Sequence, residues 1–189
     1  EARAATAEEL LEVASGLAPA TLRRLIMIRN WRPEAERPAI DVIIKKARAA
    51  GVVVEQGPPQ IDVAAYASPE DGSGAQGVML GVPAGKKQRF ASVMLKGCIK
   101  DSFLTEPVTK RDIKFMTERM SEEGSLLPVS AAYAHRMICP NLALSASAGL
   151  APPAQLLQAA EATGTADWQP SLIAWDAVQA ESFAAVDAK

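Results

Sequence analysis

Only three side chains in this 189-residue chain could serve a histidine- or thiol-based catalyst: His135, Cys98 and Cys139. A Ser-His-Asp or Cys-His device would have to use His135. A lone histidine is more often packed or at the surface, although His135 with Arg136 beside it could help bind a phosphate. The spacing of Cys98 and Cys139 matches no zinc pattern, and no CxxC pair exists; two free thiols in a reducing compartment is the simpler reading. The run Gly81-Val82-Pro83-Ala84-Gly85-Lys86-Lys87 approaches a phosphate loop. The loop pattern needs four residues between its glycines and a hydroxyl residue after the lysine. Here only three intervene, and Lys87 takes the hydroxyl position. Asp101, Glu106 and Asp112 stand among lysines and arginines and read as charge balance, not as an acid/base pair. These residues predict no catalytic residue, no metal and no cofactor.

The remaining chemistry is charge. The formal net charge is −2, yet 17 of the 20 Lys and Arg fall in two blocks, residues 23–48 and 86–119, each with net charge +5. Segregation of this kind can build a positive surface on an acidic protein. In the first block the candidate nucleic-acid contacts are Arg23, Arg24, Arg29, Arg32, Lys45, Lys46 and Arg48. Arginine suits phosphate because its fork donates two parallel hydrogen bonds. Trp31, between Arg29 and Arg32, is either a stacking platform for a base or a core anchor. In the second block the candidates are Lys86, Lys87, Arg89, Lys96, Lys100, Lys110, Arg111 and Lys114, with Arg136 further on. Read as a helix, residues 86–104 place Arg89, Lys96 and Lys100 within about 40° of arc, with apolar residues on nearly every other side. A helix apolar all round is buried, so one cationic stripe on it predicts a groove floor. On the next helix Ile113, Met116 and Met120 would face inward, opposite Lys110, Arg111 and Lys114. The competing reading pairs these cations with the acidic 49–85 and C-terminal segments.

The elements that must position these residues read as helices. Thr6 with Glu9 forms a capping box for a helix to about residue 16. Others are expected over Pro19–Asn30, from Glu34 or Pro38 to Ala50, over Lys86–Leu104, from the Thr109/Asp112 cap to Glu123, over Pro128–Ile138, from Pro152 to Ala162, and from Pro170 onward. Residues 141–151 could go either way. The expected fold is mainly α, one domain over 1–189 with about seven or eight helices. Segment 52–85 is β-poor and loop-rich, a protruding loop or small hairpin in which Ile61–Tyr66 and Val78–Leu80 could be short strands. On the last helix Leu172, Trp175, Val178, Phe183 and Val186 make a wide apolar face, which predicts a homodimer through residues 170–187.

Ala, Pro and Ser make up about a third of the chain and aromatics 5%. Two cysteines cannot frame a disulfide-stapled module, no run approaches the roughly 18 apolar residues of a membrane span, and no signal peptide is visible. The first residue, Glu1 instead of Met, reads as the start of an excerpt from a longer chain. The stretches Ala64–Ser68, Ser130–Ala134, Leu144–Ala154 and Ala159–Ala166, with the Pro pairs at 58–59 and 152–153, resemble the proline-alanine-serine-rich proteins of polymycoviruses. Leu127-Pro128-Val129 and Tyr133-Ala134-His135-Arg136-Met137-Ile138-Cys139-Pro140 are similar to a stretch of phlebovirus-type nucleoproteins, with Arg and His reversed. Both resemblances imply RNA coating. The expected function is a non-enzymatic, self-associating coat protein in host cytoplasm or virion. It would bind double-stranded RNA without sequence preference through the two basic blocks. The alternative is a bacterial helical protein-interaction or adaptor domain that binds no nucleic acid.

Overall fold

The computed structural model describes residues 2–57, 61, 63–164 and 168–172, with side chains from residue 7 onward. It overturns the mainly α expectation: among the described residues, six α-helices accompany a six-stranded antiparallel sheet. The chain opens with α1 (Ala2–Glu12), α2 (Pro19–Trp31) and α3 (Arg37–Ala49). It continues through β1 (Ala65–Ala67), β2 (Gln76–Ala84), β3 (Lys87–Leu95), β4 (Ile99–Leu104) and β5 (Val108–Thr109). The remaining elements are α4 (Lys110–Glu122), β6 (Leu127–Val129), α5 (Ala131–Ser147) and α6 (Gln155–Thr163). The sheet order is β4-β3-β2-β1-β6, with β5 pairing the start of β3.

The region expected to be one helix, 86–104, is the β3–β4 hairpin. Its period is hidden because apolar residues stand on both faces of the hairpin, buried on one and partly exposed on the other. Ala91, Val93 and Leu95 point into the main core, and Phe90, on the opposite face, is also buried. Met94 of β3 and Phe103 of β4 are apolar yet exposed, so the polar/apolar alternation is lost and the segment reads as a nearly continuous apolar run. Of the two readings of segment 52–85 the protruding loop is overturned, whereas the strands expected within Ile61–Tyr66 and Val78–Leu80 do form, with other bounds, and pair antiparallel. The segment carries β1 and the nine-residue β2, which lies inside the sheet between β1 and β3. Ala84 and Lys87 are register partners, so the turn between β2 and β3 is Gly85-Lys86. Gly85 has φ +63° while Lys86 has negative φ, the pattern of a type II′ hairpin with glycine first. The phosphate-loop look-alike is therefore strand, turn and strand. No strand forms at Val52–Val54.

Several helix signals are realised. Pro19 opens α2, Gly51 closes α3 with φ +85°, and Thr109 Oγ1 accepts the Asp112 N–H at 3.2 Å to cap α4. Two fail. The helix containing Thr6 begins at Ala2, so Thr6 lies inside it and is no cap. And α5 does not stop at Cys139-Pro140 but runs to Ser147. A proline inside a helix costs about 3 kcal/mol or more. Burying Ile138, Cys139, Pro140 and Leu142 together outweighs it, since each large apolar side chain contributes about 1.5–3 kcal/mol. The expected final helix does not begin at Pro170, since residues 170–172 are not helical, and its Trp175, Val178, Phe183 and Val186, like the Pro58–Pro59 turn, lie outside the described residues.

The main core lies between one sheet face and α5, α6 and α2. It joins Val78, Leu80, Val82, Val93, Leu95 and Ile99 with Ile138, Leu142, Leu156, Met27, Trp31 and Trp168. A smaller cluster of Leu22, Ile44 and Ala47 holds α2 to α3. Helix α4 covers part of the other sheet face, hereafter the outer face, through buried Ile113 and Thr117. Both sheet edges are blunted. On β4, Asp101 Oδ1 accepts the Ser102 N–H at 2.8 Å, and Lys100 sits where the register shifts. On β6, Pro128 occupies the middle of only three residues.

Candidate interaction surface

The first basic block is largely consumed inside the fold. Arg23 donates to Glu161 Oε1 at 2.7 Å, and Arg24 grips the same carboxylate with both ends of its fork, at 2.8 and 3.1 Å. Burial alone would raise the Glu161 pKa, but hydrogen bonds and charge from Arg24 and Arg23 outweigh it and hold the carboxyl below its ordinary value. Arg29 forms a two-point pair with Asp41 at 2.9 Å on each arm, and that hydrogen-bonded pair lowers the Asp41 pKa. Arg32 reaches Glu36 at 3.4 Å, and Lys46 donates to the Leu11 carbonyl at 2.9 Å. Lys45 and Arg48 remain exposed on α3. Trp31 is a core anchor: it is 2% exposed, and its Nε1 donates to the Trp168 carbonyl at 2.6 Å.

The Arg89–Lys96–Lys100 stripe does not form, because these residues are not on a helix. Arg89 lies near the start of β3, half-buried, with Nε buried and unpartnered. Lys96 tops the β3–β4 turn, seven residues or about 23 Å further along an extended strand, and donates to Ser73 Oγ at 3.0 Å. Lys100 is the exposed residue at the β4 register shift. What does come together is the opposite end of the sheet. Lys87 pairs in register with Thr109, so exposed Lys86 and Lys87 of the hairpin meet exposed Lys110 and Arg111 at the start of α4. Lys114 follows one turn later and pairs loosely with Glu118 at 3.7 Å. Arg136 is exposed on α5, which packs on the other side of the sheet.

His135 Nε2 lies 3.4 Å from Cys139 Sγ, one helical turn away, so α5 does bring a histidine and a cysteine together. Cys139 is 1% exposed, and burial pushes its thiol up to about 11. The nucleophile in such a pair is the thiolate, which that environment disfavours at neutral pH. Among the described residues, no group of three or more His, Cys, Asp or Glu is placed to hold a metal, and no helix is long and apolar enough to cross a membrane.

The residues missed by the charge argument are apolar. Among the described residues, every exposed Phe or Met of the large hydrophobics lies in 94–116: Met94, Phe103, Phe115 and Met116, the last expected to face inward. Val108 joins them. Register places Met94, Phe103 and Val108 on the outer face, where Phe103 opposes Ser92 and Val108 opposes Gln88. Phe115 is 68% exposed and projects from α4 opposite the buried Ile113. It borders a shallow groove of about 430 Å³ lined also by Glu118, Arg119, Glu122 and Glu123. A signal was present in the sequence. Alanine, 36 residues in all, is absent from the whole of 92–130, where the chain carries larger and charged side chains instead.

The charge order on α4 runs against its own dipole. Lys110, Arg111 and Lys114 occupy the N-terminal half, and Glu118, Glu122 and Glu123 the C-terminal end. Cations at a helix N-terminus and anions at its C-terminus each cost about 0.3–1 kcal/mol at the surface. The exceptions are Asp112, held by the cap, and Arg119, tied to Glu123 at 3.0 Å.

A family model described as Y4lR second domain, a bacterial family, matches residues 1–51. The match covers about a quarter of the chain and coincides with α1–α3, the unit organised around the Leu22 cluster. No curated protein and no solved structure matches the chain.

Proposed function

We propose that this chain is a non-enzymatic protein-interaction module of bacterial type, docking through the outer face formed by β3, β4, β5 and α4. The observation that carries it is the concentration of exposed Met94, Phe103, Val108, Phe115 and Met116 in one stretch with net positive charge. Phe and Met are enriched at protein interfaces relative to the rest of the surface, and Met94, Phe103, Phe115 and Met116 are the exposed ones among the described residues. The bacterial family match over 1–51 favours this over a viral coat. Internal pairing of Arg23, Arg24, Arg29 and Arg32 withdraws four of the expected phosphate contacts.

A photo-crosslinking residue placed at 103 or 115, with Val42 on α3 as an exposed control, tests the reading. Adducts at 103 and 115 to one polypeptide, identified by mass spectrometry, and none at 42 are expected. Equal labelling at all three positions overturns it. RNA coating would instead appear as anisotropy-detected binding to duplex RNA that collapses between about 50 and 200 mM salt.

A further inference from the structure

We propose that the occupant of this face is a second copy of the same chain, packed as an antiparallel α4–α4 pair about a two-fold axis. The inference rests on reading the outer face as a docking surface and adds the identity of the partner. A two-fold interface must be self-complementary: whatever one end presents, the other end must accept. Helix α4 satisfies that condition along its length of about 20 Å. Lys110, Arg111 and Lys114 give its N-terminal part a net positive charge, and Glu118, Glu122 and Glu123 give its C-terminal end a net negative one. Arg111, Glu118 and Glu122 share the Phe115 side of the helix at helical spacing, so antiparallel alignment carries Arg111 of one copy to Glu122 of the other, twice over.

The centre of the pair is apolar. Phe115 and Met116 occupy the middle of the helix and are exposed at 68% and 37%. Phe115 projects beside the groove along Glu118, Arg119 and Glu122, a site a partner side chain can fill. A parallel alignment would instead set cations against cations. The arrangement also accounts for a charge order that disfavours the isolated helix: charges that oppose their own dipole are compensated by the partner's opposite end.

The experiment is a charge-reversal exchange followed by sedimentation equilibrium on the full chain. The native chain is expected to be a dimer at tens of micromolar. Arg111→Glu, and separately Glu122→Lys, should each raise the dimer dissociation constant about tenfold or more, because the two-fold axis sets like charges together twice. An equimolar mixture of the two variants should recover the dimer, as should one chain carrying both reversals. Association itself raises apparent stability, so melting is compared at concentrations where all chains are monomeric; there each reversal agrees better with the helix dipole and the melting temperature should hold or rise, separating lost association from lost folding. A native chain that stays at 20 kDa to about 100 µM, where dimers with micromolar dissociation constants are fully formed, overturns the proposal. So does a dimer unaffected by either reversal. A monomer that still crosslinks from position 115 to a different polypeptide overturns only this inference, whereas absence of adducts at 103 and 115 to any protein overturns the docking surface itself.

Discussion

Residues 23–48 and 86–119 each carry a net charge of +5, and the fold treats them oppositely. In the first block arginines face carboxylates across helix contacts: Glu161 on α6 holds Arg23 and Arg24, and Asp41 on α3 holds Arg29. In the second block Lys86, Lys87, Lys110 and Arg111 project from a hairpin turn and a helix start, all exposed. Block charge therefore says little about a surface. What decides is whether a distant acidic residue is folded against the block, and Glu161 lies 137 residues from Arg24. The comparison also separates two uses of large apolar residues: Trp31 of the first block anchors the core, whereas Phe103 and Phe115 of the second remain outside it.

The sharpest way to break this comparison is Trp31→Ala. If Trp31 is a core anchor and not a stacking platform, equilibrium urea unfolding should show a loss of about 3–5 kcal/mol. A loss below about 1 kcal/mol, the scale of surface substitutions, would return it to the surface. Next in size is Glu161→Ala. It removes from Arg23, whose Nε and Nη1 are already buried without partners, its one side-chain acceptor among the described residues. The expected loss is about 2–4 kcal/mol, reduced from that of a fully buried pair because Arg24 is half-exposed.

A third, smaller effect is the acid limb of stability. Asp41 and Glu161 titrate below their ordinary values in the folded chain. Their contribution is therefore complete above the unfolded carboxyl values near about 4 and is lost as pH falls through the lower folded values. Urea midpoints should be flat from about pH 8 to 5 and decline below about 4, and Glu161→Gln should remove part of that decline. An unchanged slope in the variant would mean that Glu161 is not a linked group. The smallest effect sharpens the contrast from the other side. Lys86→Glu with Lys87→Glu should shift stability by no more than about 0.5 kcal/mol per residue. A larger loss would show the second block to be internally paired like the first.

Local signals were legible in the sequence by itself. Pro19, Gly51, the Thr109/Asp112 cap, Gly124 and Gly164 set the bounds of α2, α3, α4 and α6, because caps and breakers act through the backbone of a few neighbouring residues. The two charge blocks and the rejection of a phosphate loop at 81–87 were equally readable. Only the tertiary structure decided that 86–104 is a hairpin. The outer face of β3 carries apolar Phe90, buried, and Met94, exposed, opposite the core-facing Ala91, Val93 and Leu95, so the sequence shows no period of two. Only the tertiary structure carried α5 through Pro140, where packing of the proline among Ile138, Cys139 and Leu142 outweighs its local preference. And only the tertiary structure chose which cations stay in solvent. Pairing across more than a hundred residues depends on how helices and sheet stack, and nothing within a short window of sequence encodes that stacking.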